Sequence, residues 1–598
     1  VKRTTAATVG AAALSALLAL AGCTGSIGEP GKTWVLDDSG TVVAIDGGVD
    51  PTLPDIPGPA CHVPPCELPP EALGPQGPSP QTRFPRLTHL QWENTVRDLL
   101  HLDAPTGLVD TLIPDVSTSG YSTNATALKV TADLWADYER VSRDLAALVM
   151  ADPQLVAGIS PDPMPATLAE QRDAFITAFG RRAFRRPLTA DEVQRYALLF
   201  DDAPGILFAN DPYEAGVELT LRAMLQSPYF LYRMELGTTE VDGAIPLSGY
   251  EVAARLSYSL WNTMPSDAML DAAEAGQFDT PDAIRDQVAL MLEDMRTQNM
   301  VASFHHEYLH TSTFFDIKKQ EGLFPEWLPT TGDDLRHELE LFVLDLVFQS
   351  GGGFPELLTS PFTYANENLA AIYGVDGVSG EAFQRVDLNP AQRAGVLTRL
   401  GPLAYNSTLA QPDPIHRGVF VAKDIICADL PPPPMNVPSV PGDSAPTNRE
   451  RVDLHTGKGT CGEGCHSSII NPAGFPFEYY DSIGAFRTED NGYPVNGADT
   501  YILDGQPASY DNAVEFSAVL AASLQVNRCY AQQWLEYLYG RDHTDADEPL
   551  LYDIAARSRD GALTIKDLIA ELLTSPAYLT RSTQPFELDT DQNSGGNE

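Results

Sequence analysis

The sequence predicts a mainly α protein made of several consecutive helical modules, one of them with a small β or irregular segment. Three observations lead there. Helix-entry signals recur: Thr88-His-Leu-Gln91, Thr189-Ala-Asp-Glu192 and Ser248-Gly-Tyr-Glu251 each offer a side-chain oxygen to the first orphan N–H groups and an acceptor three residues on. Apolar residues behind them fall on one helical face, as Val252, Leu256 and Leu260 do at i, i+4 and i+8. The chain has 598 residues, 43% of them hydrophobic, with 46 glycines and 48 prolines, so it can bury several cores and is not a low-complexity chain.

Charge narrows the function classes. Lys and Arg number 38 against 82 Asp and Glu, a net charge of −44. Such a field repels phosphate backbones and anionic lipid surfaces, so nucleic acid is not an expected partner. Acidity by itself points to no particular activity.

At the N-terminus, Lys2 and Arg3 precede an Ala/Leu run ending in Leu20-Ala21-Gly22-Cys23. The run is too short to span a bilayer. A positive start, a short apolar stretch and small residues before a cysteine match a bacterial lipoprotein signal over 1–23, with Cys23 acylated as the first mature residue. An ordinary cleaved signal would also export the chain. Thr24 after the cysteine resembles the pattern for outer-membrane sorting, so the expected place is the cell envelope, with the membrane engaged through lipid on Cys23.

Export gives Cys61, Cys66, Cys427, Cys461, Cys465 and Cys529 a compartment where disulfides persist, with fifteen pairings open. Cys61-His-Val-Pro-Pro-Cys66 reads as a local loop closure, or alternatively as a metal site through His62. It lies in residues 24–82, a Pro/Gly-rich stretch that reads as a tether.

Helical segments follow over 83–150, 165–236, 244–375, 388–500 and 501–585. Arg181-Arg-Ala-Phe-Arg-Arg186 reads as a basic helix end facing its dipole, or as an internal partner for acidic groups. Thr280-Pro281 adds a cap with proline at the first helical position. Leu225-Gln-Ser-Pro-Tyr-Phe-Leu-Tyr-Arg233 and Leu573-Thr-Ser-Pro-Ala-Tyr-Leu-Thr-Arg581 both predict a helix end, a turn at Ser-Pro and an aromatic re-entering the core. Duplication and convergent helix-stop chemistry both remain open. Pro431 to Pro434 forms a boundary, 488–507 reads as a small hairpin around Thr500-Tyr-Ile-Leu503, and an aromatic helix resumes around 531–538.

Two constellations carry chemistry. In Cys461-Gly-Glu-Gly-Cys465-His466, two thiols could take haem c in thioether bonds while His466 becomes the proximal iron ligand, as C-x-x-C-H segments do. Here the loop holds one extra residue. His455, Met435, His416 or His543 would then supply the sixth ligand, His455 being nearest in sequence. A Cys461–Cys465 disulfide beside a surface histidine, and a zinc site from His455, Cys461, Cys465 and His466, are the other readings. The second constellation, His306-Glu307-Tyr308-Leu309-His310, is a literal H-E-x-x-H, with Glu338 or Glu340 as a conceivable third zinc ligand. The segment also reads as a packing helix with Phe304, Tyr308 and Leu309 inward. The chain has no G-x-S-x-G elbow, no Walker loop and no G-x-G-x-x-G opening a helix after a strand.

Phe84-Pro-Arg-Leu-Thr-His-Leu-Gln-Trp-Glu-Asn-Thr-Val-Arg-Asp-Leu-Leu100 resembles the opening of an exported bacterial family, a string of domains of unknown function often linked to cytochrome-c-like modules. The resemblance continues through Phe179-Gly-Arg-Arg-Ala-Phe-Arg-Arg-Pro-Leu-Thr189, Leu225 to Arg233, Ala253-Ala-Arg-Leu-Ser-Tyr-Ser-Leu-Trp261 and Arg393-Ala-Gly-Val-Leu397. His416-Arg-Gly418, Asn471-Pro-Ala-Gly-Phe475 with Glu478, Asp481 and Gly484, Cys529-Tyr-Ala-Gln-Gln-Trp534 and Gly540-Arg541 complete it. It implies five helical modules, with a haem-binding-like C-x-x-C-H in the fourth, and no established reaction. It further implies that the 300s segment is an ordinary helix and that Cys427 pairs with Cys529, closing a loop that contributes about 4–5 kcal/mol in the chain-entropy model.

The first expectation is therefore a lipid-anchored extracytoplasmic c-type-cytochrome-like protein that moves electrons or supports an oxidoreductase, with redox partner proteins. A non-catalytic envelope scaffold with a Cys461–Cys465 disulfide is the second. Zinc-dependent hydrolysis through His306, Glu307 and His310 is the third.

Overall fold

The structure, a computed structural model, describes residues 84–115, 120–431, 445–460 and 462–582, together with two strands near the N-terminus. The signal with Cys23, the Cys61/Cys66 loop with His62, Met435 and Cys461 lie outside the described residues. Among those described, the chain forms 24 α-helices, and each of its sheets has only two strands, so the fold is mainly α.

The helix starts follow from local chemistry. Thr88, Thr189 and Ser248 each form a capping box with Gln91, Glu192 and Glu251. Thr280 accepts the Ala283 N–H while Pro281 opens its helix. Val252, Leu256 and Leu260 are buried along one face of the helix Gly249–Trp261. The Ser-Pro segments behave alike: Ser227 and Ser575 cap short helices, Pro228–Leu231 and Pro576–Leu579, which bury Phe230 and Tyr578. Both dock on the helix Gly249–Trp261. Arg185 takes the carbonyls after Ser227 and also meets the Tyr258 hydroxyl at 3.0 Å, while the Tyr578 hydroxyl donates to Ser259 at 2.8 Å.

Two apolar cores result. One joins Leu87, Trp92, Tyr138, Phe175, Phe200 and Phe230 from the first two segments and borrows Tyr258 from the third. The other runs through the remaining three segments, including Phe304, Leu339, Leu400 and Trp534. Tyr121 crosses from the first segment into this second core. Around it, the Tyr121 hydroxyl donates to Gln533 at 2.7 Å, Thr123 to the Tyr537 carbonyl at 2.8 Å, and the Ala125 N–H to the Gly540 carbonyl at 2.8 Å. A Cβ on Gly540 would sit 2.7 Å from the Thr123 carbonyl oxygen, so this latch requires glycine there. Thr580–Ser582 also pairs antiparallel with Ala244–Pro246, returning the chain's end to the third segment.

The expected hairpin is present as two small ones, Glu489–Asp490 with Tyr493–Pro494 and Asp499–Leu503 with Gln506–Tyr510. Within the stretch 24–82 the structure describes two strands. Lys32–Leu36 pairs antiparallel with Val42–Asp46, both of them β-prone runs.

In the fourth segment the helix Pro414–Phe420 crosses the short helix Asn471–Gly474 at backbone contact. A Cβ on Gly418 would lie 2.1 Å from the Ile470 carbonyl oxygen, and one on Gly474 would lie 1.9 Å from that of Pro414. The Cys427–Cys529 disulfide, with 5.5 Å between Cα atoms, ties the end of this region to the helix Leu524–Tyr539 across 102 positions.

Two outcomes follow. Gly474→Ala should lower stability by about 1–3 kcal/mol in denaturant unfolding, because backbone has to move; Gly464→Ala, where nothing lies within 4 Å, should leave it nearly unchanged. Replacing Cys427 and Cys529 with alanine should cost about 2–5 kcal/mol in the same assay.

Candidate functional site

The Cys-x3-Cys-His region follows the helix Asn448–Thr456 and runs into the Asn471–Gly474 crossing. Cys465 closes a single short turn, Glu463–Cys465, and His466 starts a widened π-turn, His466–Ile470, whose Ile469 and Ile470 go into the core. The Cys465 sulfur is engaged in a disulfide, with its partner outside the described residues. His466 is half-buried; its Nδ1 lies 3.3 Å from Asn471 Oδ1, whose Nδ2 in turn donates to Thr456 at 3.0 Å. Burial pushes the His466 imidazole below its ordinary value, and the Asn471 contact only partly opposes this. His455 sits on the preceding helix with a buried Nε2 that has no partner.

These residues do not fit a covalently held haem. A thioether needs the sulfur that the disulfide occupies. Two cavities of about 280 Å³ and 100 Å³ lie elsewhere, and neither Cys465, His466 nor His455 lines them. Two further axial candidates face carboxylates: His416 Nδ1 meets Asp413 at 2.6 Å, and His543 Nδ1 meets Glu536 at 2.7 Å. Among the described residues, no group of three or more His, Cys, Asp and Glu side chains is arranged to hold a metal ion.

The H-E-x-x-H residues are not brought together either, because the helix Met295–Tyr308 ends before the motif does. His310 lies past that end in a left-handed conformation, so the two histidines share no helical face. His306 contacts Thr311 at 2.6 Å and Glu340 at 3.4 Å, whereas His310 faces Asp424 at 3.4 Å, which holds its imidazole above the usual value. Glu307 accepts the N–H and hydroxyl of Ser122, both at 2.7 Å, and burial raises its carboxyl. Glu338 is buried and accepts from Thr363 at 2.6 Å and from Tyr373. Phe304, Tyr308 and Leu309 point inward, as a packing helix requires.

What the motif reading missed is the arginines. Among the described residues nine arginines and no lysine are buried, and most of them belong to the quoted segments. Arg417 donates to the carbonyls of Leu403, Phe477, Tyr480 and Asp481 at 2.7–3.1 Å and to Ser407. Arg393 serves Thr398 and Gly484, at 2.7 and 2.8 Å, and its guanidinium lies 4.8 Å from the ring centres of both Tyr373 and Tyr480. Arg255 pairs with Glu235 and reaches the Tyr578 carbonyl. Of the basic run, Arg181 and Arg182 meet the acidic groups Asp271 and Asp267, Arg185 takes carbonyls and Arg186 pairs with Glu192. The available signal was a concentration of arginine in short ordered segments of a very acidic chain.

Family models match five consecutive stretches, each described as a protein of unknown function: residues 85–151 (DUF1587), 171–235 (DUF1595), 247–375 (DUF1592), 393–490 (DUF1588) and 506–578 (DUF1585). No curated protein and no solved structure matches the chain.

His305, beside the motif, offers a pH test. Its Nδ1 donates to the Val301 carbonyl at 2.8 Å and its Nε2 accepts from the Tyr530 hydroxyl at 3.1 Å, so the ring is neutral, and complete burial pushes its pKa down to about 4. The unfolded chain takes up the proton first. The contribution of a neutral His305 is therefore intact above pH 6.5 and is lost as pH falls from 6.5 toward 4, by on the order of 3 kcal/mol. In denaturant unfolding across that window, His305→Phe should lose less stability than the parent chain.

Proposed function

We propose that this chain, which belongs to a multi-domain family of five consecutive modules of unknown function, is a non-catalytic envelope scaffold held to the membrane by lipid on Cys23. One observation carries this reading: the residues that define the family segments are spent inside the fold. Their arginines hold main-chain carbonyls and buried acids, and their glycines let backbones touch. Among the described residues, no group of three or more His, Cys, Asp and Glu side chains is arranged to hold a metal ion, and the H-E-x-x-H histidines face different carboxylates. The disulfides at Cys465 and at Cys427–Cys529 support a stapled extracytoplasmic body.

A second reading, c-type electron transfer at Cys465 and His466, is favoured by the short name of the model matching 393–490, PSCyt3, which alludes to a cytochrome. The geometry described above weighs against it, and no step is assigned through haem.

One preparation separates the two. The full chain, made in a host with a c-type maturation system, should give no pyridine-haemochrome spectrum and an intact denatured mass free of haem, with Cys465 still oxidised. A c-type spectrum with the mass of one haem would replace the scaffold reading with electron transfer. Cys23→Ser should release the protein from the membrane fraction; a soluble parent chain would remove the anchor.

A further inference from the structure

The larger cavity, about 280 Å³, lies where the second segment meets the start of the helix Gly249–Trp261. Arg185, Arg186, Arg233 and Arg255 line it, against only two acids, Glu235 and Glu251. In a chain of net charge −44 this is an unusual concentration of positive charge.

The partners of the lining groups decide what the cavity lacks. Arg185 is held by the carbonyls of Tyr229, Phe230 and Tyr232. Arg186 pairs with Glu192 through two hydrogen bonds at 2.8 and 2.9 Å, and Arg255 with Glu235 at 2.5 and 2.7 Å. The Glu251 carboxylate already accepts from the N–H groups of Leu236, Gly237 and Ser248. Arg233 is different. It is nine-tenths buried, at 9% exposure, yet its buried Nε has no partner, and among the described residues no hydrogen-bond acceptor meets its guanidinium.

A buried N–H without an acceptor is costly, and the Nε of Arg233 is in that position while the terminal nitrogens of its fork have no protein acceptor among the described residues. Every acid in the wall is committed elsewhere. The missing partner is thus an anion from outside, and a planar fork of donors suits the oxygens of a carboxylate or a phosphate. We propose that this cavity binds a small oxyanion, a phosphate or a short carboxylate, through Arg233. Its volume suits such an ion with a few waters and excludes a large organic ligand.

The test uses the full chain at fixed ionic strength, titrated with inorganic phosphate or with succinate against a chloride reference, and read by calorimetry and thermal unfolding. At least one oxyanion should bind saturably and raise the unfolding temperature; the one that does identifies the chemistry. Arg233→Gln should weaken binding about tenfold or more. Ala254→Leu, which fills the cavity without altering any charge, should do the same and keeps the test decisive if Arg233→Gln fails to fold. Arg181→Gln, at an exposed pair with Asp271, should bind as the parent does. Absence of saturable binding by both ions, or unchanged binding in both cavity variants, would overturn the site.

Discussion

The fold depends on arginine buried against main-chain carbonyls. Loops and short helices leave carbonyl groups that no helix ladder satisfies, and a buried one without a donor costs about as much as a lost hydrogen bond. Arginine supplies five donors on a rigid planar fork and is less strongly hydrated than an ammonium, so a single side chain can satisfy several loops at once. Arg417 does this at the centre of the fourth segment, where one guanidinium gathers carbonyls from Leu403 through Asp481. Burial lowers its pKa to about 10, which still leaves it charged at neutral pH. Arg185 performs the equivalent task within the first core, beside Tyr258, while Arg255 links Glu235 of the second segment to the Tyr578 carbonyl in the second core. Nine arginines buried in this way leave still fewer cations at the surface of a chain that carries 82 acidic residues against 38 basic ones.

The helices, their caps and their inward faces were legible in the sequence, because capping boxes and i, i+4 spacing are local. Thr88, Thr189 and Ser248 needed no tertiary information to be recognised as helix starts. The pairing of Cys427 with Cys529 was legible only through the family resemblance, since the two positions meet across 102 residues. The two-core arrangement was not legible. It depends on Tyr258 and Tyr121 leaving their own segments to pack in the neighbouring core, and no periodicity reports that.

The candidate sites show why spacing alone misleads. His306 and His310 have the separation of a zinc pair, but the helix stops at Tyr308, and two residues of unwinding send the imidazoles to Glu340 and Asp424. His305, which no pattern marks, is the histidine that enters the core. In the Cys-x3-Cys-His segment the extra residue coincides with a chain path of one short turn followed by a π-turn, in which Cys465 is drawn into a disulfide and His466 toward Asn471. Arg233 was quoted only as the end of a motif; its lack of an acceptor is a tertiary fact that depends on what its neighbours already hold.

The latch between Tyr121–Thr126 and the Gly540 corner has a consequence for biosynthesis. A chain made from its N-terminus presents this stretch more than four hundred residues before its acceptors at Gln533, Tyr537 and Gly540 exist. The first segment can therefore bury Trp92 and Tyr138 early, yet until translation is nearly finished Tyr121 has only Phe304 of its ring partners and its hydrogen bond to Gln533 is unmade. Closure is a late event. A ribosome that stalls short of the last helices would leave a half-folded product with an aromatic hook exposed, the kind of surface that chaperones and proteases recognise.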